Sequence, residues 1–224
     1  MGTILSSAVV NETELMLNDE GNDEFDADDL FTCLKTAQRI ISLIKPDVSV
    51  TNAAVVCVAG VKQSLPAGGT HLNHILRNMG TAGTTLGAVI PLVERDELDA
   101  IKPGWATETA SATVKAYMYD PKDPKVFYVY PAQPSSAFGY VQMSYAVTPA
   151  DPATIAAAIT LDDVYAPVLI QLMLWMAHSV DAASSPYASQ RSKEHWNTAV
   201  TLLGRKDLKE QIDKPRVKKD VNQD

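Results

Sequence analysis

The sequence predicts an α+β protein: a helical bundle assembled from both ends of the chain, with a central β-rich antiparallel insertion. Three observations carry this. Apolar residues recur at three-and-four spacing near each end. The middle of the chain changes to alternating runs rich in Val, Tyr and Phe. Those runs are separated by Pro- and Gly-containing turns rather than by further helical segments. At 224 residues, 46% apolar and 21% charged, the chain can bury a sizeable core and has the composition of a globular protein. The boundaries implied are 1–47 for the first helices, 48–150 for the β-rich insertion, 151–204 for a helical hairpin, and 205–224 for an extended tail.

Residues 7–17 carry a short apolar pattern (Ala8, Val9, Leu15, Leu17) that fits a first helix, followed by the polar loop "NDEGNDEFD". From Asp28 the pattern is firmly helical, with Leu30, Cys33, Leu34, Ala37, Ile40, Ile41 and Ile44 on one face. Asp26, Asp28 and Asp29 suit its start and Pro46 ends it. Residues 53–66, 71–78 and 87–94 read as strands, with the loop "MGTAGTTLG" between the last two. "ERDELDAI" supplies one or two helical turns before "KPGW". "ATVKAYMYD" and "KVFYVYP" flank the turn "DPKDP", and residues 140–147 place Val141, Met143, Tyr145 and Val147 on one face of a strand. After the loose connector "TPADPATIAAAI", Thr160 with Asp163 has capping-box spacing for a helix reaching about Val180. Ser185-Pro186 then reads as N-cap and first-turn proline of a second helix that Gly204 closes.

The first helix of that hairpin is apolar nearly all round: Val168, Leu169, Leu172, Met173, Leu174, Trp175 and Met176 occupy every side. Such a helix needs cover on more than one face. Its hairpin mate supplies one partner through Trp196, Val200 and Leu203; the amino-terminal helix or a neighbouring subunit supplies the rest. Leu169, Leu172, Met173, Trp175, Met176 and Trp196 are therefore the expected ring- or bundle-packing residues.

Several function classes are disfavoured. The longest apolar run, Val164 to Ala177, is broken by Pro167 and Gln171 and is shorter than the ~20 residues of a bilayer-crossing helix. The start lacks a basic signal-peptide region, and the acidic stretch Asn11 to Asp29 suits membrane attachment poorly. Cys33 and Cys57 lie in apolar segments and read as buried thiols. The first 34 residues hold nine acids and no Lys or Arg, whereas the rest carries 18 acids against 19 bases, so no duplex-gripping surface is expected at the amino end. His71 and His74, three apart in a strand, should face opposite ways and hold no metal. "GTAGTTLG" lacks the Lys of a phosphate loop, "DPKDPK" sits in a turn, and His178 and His195 suit helix-end packing. No G-x-S-x-G or H-E-x-x-H is present, and no catalytic, cofactor or metal site is expected.

The order of the pieces is more specific than any one of them. "LMLNDEGNDEFDADDLFTCLKTAQRIISLIKPD", with Ala37-Gln38-Arg39, Ile40-Ile41 and Lys45-Pro46-Asp47, resembles the opening of bacteriophage head-to-tail adaptor (connector) proteins of the short-tailed-phage type. "SLPAGG", "LRNMG", "LDAIKPGW" and "YDPKDPKVFYVYPAQP" are similar to the β-rich part of one branch of that family. "YAPVLIQLMLWMAHSVDAASSPYASQRSKEHWNTAVTLLG" is similar to its terminal hairpin, with Ala188 and Arg191 as the Ala-x-x-Arg pair. Phe25 stands where the family usually has Trp. The resemblance implies a structural virion protein: a homo-oligomeric ring, usually of twelve copies, between the portal protein and the tail nozzle or tube, with DNA passing through its lumen. The polar tail, with Arg205, Lys206, Lys209, Lys214, Arg216, Lys218 and Lys219, would be the portal-binding arm. The other readings of the sequence are a DNA-binding or packaging accessory protein, or another neck component.

Overall fold

A computed structural model describes residues 2–19, 24–180 and 185–204. Among them are five α-helices and two three-stranded antiparallel sheets, with helices toward both ends and the strands between them. The fold is α+β, as the sequence predicts. The chain divides into two compact units, one formed by Met1–Lys45 with Pro149–Asp224, the other by Pro46–Thr148.

The helical unit holds α1 (Ser6–Leu17), α2 (Ala27–Ile44), α4 (Ala166–Val180) and α5 (Pro186–Leu202). α1 ends at Asn18, whose φ of 60° is the left-handed conformation that Asn tolerates and that suits a helix C-terminus. Asp19 then turns its carboxylate back onto the loop and accepts from the N–H of Phe25 at 2.8 Å and of Glu24 at 3.2 Å. Asp26 caps α2 by accepting from the Asp29 N–H at 2.8 Å, with Asp28 and Asp29 in the first turn, where the helix dipole favours acids. The buried face of α2 is Leu30, Phe31, Leu34, Ala37, Gln38 and Ile41. Cys33, Ile40 and Ile44 are only half-buried, and polar Gln38 is buried because its Oε1 accepts from both the N–H and the Oγ1 of Thr160.

α4 is the centre of this unit. α1, α2 and α5 all pack on it, so its own chain supplies much of the cover its apolar circumference needs. Leu169, Leu172 and Met173 are wholly buried and Leu174 nearly so. Burial of each such side chain contributes about 1.5–3 kcal/mol. α5 begins at the Ser185 cap, which accepts from Ala188 N–H with Pro186 in the first turn, and ends before Gly204 at φ +74°.

Two expectations for this unit fail. Thr160 and Asp163 do not form a capping box. Thr160 is engaged by Gln38 and by the Ala150 carbonyl, Asp162 caps the short 3-10 turn Asp163–Tyr165, and α4 begins only at Ala166. Asp163 instead clamps the start of the chain, accepting from Thr3 N–H at 2.7 Å, Thr3 Oγ1 at 2.6 Å and Ile4 N–H at 3.0 Å. These bonds to the charged form, from the Thr3 hydroxyl first, hold its carboxyl below the usual range. The connector before it is not loose either. Ser6 and Ser7 donate to the Ala157 and Ile155 carbonyls, Ile159 N–H donates to Ile4, and Ile159 and Leu161 are buried.

The β-rich unit has sheet order β1-β6-β3 and a second sheet in order β2-β5-β4. The strands are β1 (Val50–Val56), β2 (Gly60–Ser64), β3 (Gly69–Asn78), β4 (Ala116–Tyr119), β5 (Val126–Gln133) and β6 (Tyr140–Val147), with the short helix α3 (Arg95–Ile101) before β4. Leu72, Ile75, Val141 and Met143 from the first sheet join Tyr117, Phe127 and Val129 from the second in one core. β6 buries Val141, Met143 and Tyr145 as its alternation predicts. Ser144 and Ala146, on its opposite face, are also buried, since short side chains on a central strand are shaded by β1 and β3.

Three strand assignments change. The run 53–66 is two strands in different sheets, divided at Gly60 (φ +94°) and braced by Gln63, which bonds both the N–H and the carbonyl of Val58. β3 carries three register shifts against β6, so Leu72, Ile75 and Asn78 point inward at three-residue intervals. His71 pairs with Ala146 and reaches Tyr119 of the second sheet, its Nδ1 3.2 Å from the hydroxyl, while His74 pairs with Ser144 and is exposed. Residues 87–94 form no strand. Ala88–Ile90 bonds the edge of β3 and Pro91–Val93 the edge of β4, so one segment seals an edge of each sheet, with Pro91 at the crossing. Asn78, buried, locks this corner: its Nδ2 donates to Val114 O at 2.8 Å and Ala88 O at 3.2 Å, while its Oδ1 accepts from Val114 N–H at 2.8 Å.

Replacing Asn78 by Ala strands the buried Val114 N–H and C=O. At about 1–3 kcal/mol per unsatisfied buried group, Asn78→Ala should lower unfolding free energy by at least 1 kcal/mol. Urea unfolding of the full chain reads this directly.

Candidate functional site

The α4–α5 hairpin gathers most of the residues singled out from the sequence. Leu169, Leu172 and Met173 are core, whereas Trp175, Met176 and Trp196 are half-buried. Trp175 and Trp196 meet across the two helices with ring centroids 4.9 Å apart and planes inclined at 54°. With Lys193 and Asn197 they line an open cleft of about 250 Å³. One turn along, the helices are joined by polar contacts. Ser179 Oγ donates to Trp175 O at 2.6 Å and lies 2.8 Å from Ser192 Oγ. His178 and His195 stack with centroids 5.4 Å apart, and His195 Nδ1 lies 2.8 Å from Gln171 Oε1. Both histidines therefore pack within the hairpin. Ala188 is buried, while Arg191 is exposed with its guanidinium over the Tyr187 ring at 5.1 Å.

Arg205, Lys206, Lys209, Lys214, Arg216, Lys218 and Lys219, expected from the resemblance to form a portal-binding arm, lie outside the described residues. The Ala37-Gln38-Arg39 motif resolves into three separate tasks: Ala37 packs in the core, Gln38 binds Thr160, and Arg39 pairs with Asp151. The Arg39 pair is solvent-exposed and adds little stability.

Among the described residues no group of three His, Cys, Asp or Glu is placed to hold a metal ion. Cys33 and Cys57 are free thiols. Burial raises both above the ordinary thiol range, Cys57 to about 11, which keeps them protonated and poorly nucleophilic. Beside α3, Lys102 Nζ contacts Glu108 Oε1 at 2.8 Å and the Tyr130 hydroxyl, which donates to Glu108 Oε2 at 2.9 Å. These bonds, the Lys102–Glu108 hydrogen bond first, raise the Lys102 pKa and lower that of Glu108, so both favour their charged forms. No helix among the described residues is long and apolar enough to cross a membrane.

A helical unit drawn from both ends of the chain and an inserted β-rich unit are the architecture of an α+β protein whose described chemistry is mostly packing. The match is specific: the family model described as SU10 adaptor protein covers residues 6–219, and the chain belongs to that family of phage head-to-tail adaptors. No curated protein matches the sequence.

Desolvation holds the His195 imidazole below its ordinary pKa of 6.5, reinforced by the charges of His178 and Arg191 and opposed by Glu194. Because the unfolded chain takes up this proton more readily, the contribution is intact above pH 6.5 and lost as pH falls through the folded-state value. Thermal melts from about pH 7 to about pH 5 should therefore show a steeper loss of Tm for the wild type than for His195→Gln. In a second check, iodoacetamide at mildly alkaline pH should leave Cys57 unmodified until the chain is unfolded.

Proposed function

We propose that this chain is a passive collar subunit: copies form a ring, of twelve subunits in the usual family arrangement, between the portal protein and the tail nozzle or tube of a virion. The single observation that supports this most is the family match across residues 6–219, which spans both units and most of the charged tail. In this reading the segment from Arg205 to Asp224 reaches the portal through its seven bases. The helical unit provides ring contacts, with the half-buried Trp175, Met176 and Trp196 as its apolar offering. The β-rich insertion faces the next tail component or the outside. No reaction and no cofactor are part of this role.

Charge fits a conduit. The chain carries a formal net charge of −8, with acids concentrated ahead of α2. Carboxylates facing a lumen would repel phosphates and let DNA slide without adhering. A ring whose lumen proved rich in Lys and Arg would contradict this.

The full chain mixed with its cognate portal should co-elute on size exclusion, and a chain ending at Gly204 should lose that complex. No complex with the full chain overturns the proposal. In electrophoretic mobility shift at moderate salt the chain should leave duplex DNA unshifted, whereas a DNA-binding accessory protein would shift it.

A further inference from the structure

Among the described residues, the sheet edges of the β-rich unit are not treated alike. The outer edge of β3 is bonded by Ala88 and Ile90, and that of β4 by Pro91 and Val93. β2 pairs only with β5, but it is short, carries Lys62 and has a register shift between Gly60 and Lys62, devices that discourage further pairing. β1 has none of these. Val-Thr-Asn-Ala-Ala-Val-Val contains no charge and no proline, and its register with β6 is unbroken from Val50↔Ala146 to Val56↔Tyr140.

The ladder fixes which groups are unused. Val147 N–H donates to Ser49 O at 2.8 Å, and Cys57 N–H donates to Gly139 O at 2.9 Å. Bonded and non-bonded pairs alternate in an antiparallel ladder, so Thr51, Ala53 and Val55 aim their backbone groups at β6. Val50, Asn52, Ala54 and Val56 therefore aim theirs outward, and among the described residues nothing bonds to these groups. Their side chains are the exposed ones, with Val50 at 40% and Val56 at 44% exposure.

We propose that β1 pairs with β1 of a second copy, antiparallel about Ala53, joining the two three-stranded sheets into one of six. The occupant is indicated by self-complementarity. Centred on Ala53, the outward-aiming residues meet each other, Val50 opposite Val56 and Asn52 opposite Ala54, so every outward N–H and C=O gains a partner. The exposed valines at the two ends become cross-strand pairs, and no like charges are brought together. Centring on a neighbouring residue such as Ala54 keeps the outward groups facing each other but leaves Val50 without a partner in the strand. A two-fold contact closes on itself and does not propagate round a ring. The pairing thus belongs to the free subunit, goes beyond the ring reading and does not rest on it.

The test is the oligomeric state of the full chain by sedimentation at concentrations on the order of 10–100 μM. The wild type should sediment at twice the chain mass. Ala54→Pro, which removes an outward N–H that β6 does not use, should be monomeric with an unchanged far-ultraviolet spectrum. Should that variant unfold, Ala53→Cys decides. Residues 53 face each other in a non-bonded pair, with Cα atoms about 4.5 Å apart, so oxidation should yield a 53–53 disulfide identifiable by mass spectrometry. A monomeric wild type overturns the proposal, as does a dimer that persists in folded Ala54→Pro. So does a dimer sensitive to Ala54→Pro in which Ala53→Cys gives no 53–53 link, since another segment would then occupy the edge.

Discussion

The helical unit depends on the problem posed by α4. A helix with leucine, methionine, valine or tryptophan on every side has no face that water solvates well, so its stability is set by how completely other elements enclose it. The enclosure is built from distant parts of the chain. α1 reaches it through residues such as Thr13, whose hydroxyl satisfies the Val9 carbonyl and rests against Met173, α2 through its Leu and Ile face, and α5 through the hairpin. Trp175 and Trp196 are what the enclosure leaves partly uncovered, and this gives the unit an apolar surface without compromising its core.

The β-rich unit solves a different problem, that of sheet edges. Two small sheets have four edges, and a single irregular segment with a proline at its crossing occupies one on each. The remaining two differ in chemistry: β2 is short, shifted and lysine-bearing, and β1 is long, regular and uncharged. Confining long, regular and uncharged edge backbone to one strand limits accidental pairing at the other edges.

How much of this is legible in the sequence follows from how local each cause is. α2 and α5 are announced by Asp26, Ser185-Pro186 and Gly204, each acting on residues within a turn of itself, and β6 by plain alternation. The three shifts in β3 are not announced, because a bulge is defined against a partner strand, and β6 lies more than sixty residues away. The same is true of Gln38, which looks surface-facing until Thr160 is placed beside it, and of Asp163, whose capping-box spacing hides a partnership with Thr3. The candidate surface divides likewise. The apolar residues of α4 are evident from composition. That Leu169 and Met173 are core while Trp175 is half-exposed depends on where three other helices lie, and the openness of β1 depends on which strands sit at the margins.

The chain's opening residues are held by Asp163 and by the carbonyls of Ile155 and Ala157, and Gly2 is so closely approached by the Leu161 carbonyl that an added Cβ would lie 2.4 Å from it. In synthesis α1 and α2 emerge well before α4, so α1 can meet α2 early but gains its packing on α4 only when that later helix has been made. The strand-bearing middle, with all its pairing partners inside Pro46–Thr148, has no such delay. Vectorial synthesis thus favours an order in which the insertion matures before the bundle, which is completed only when translation has passed α4.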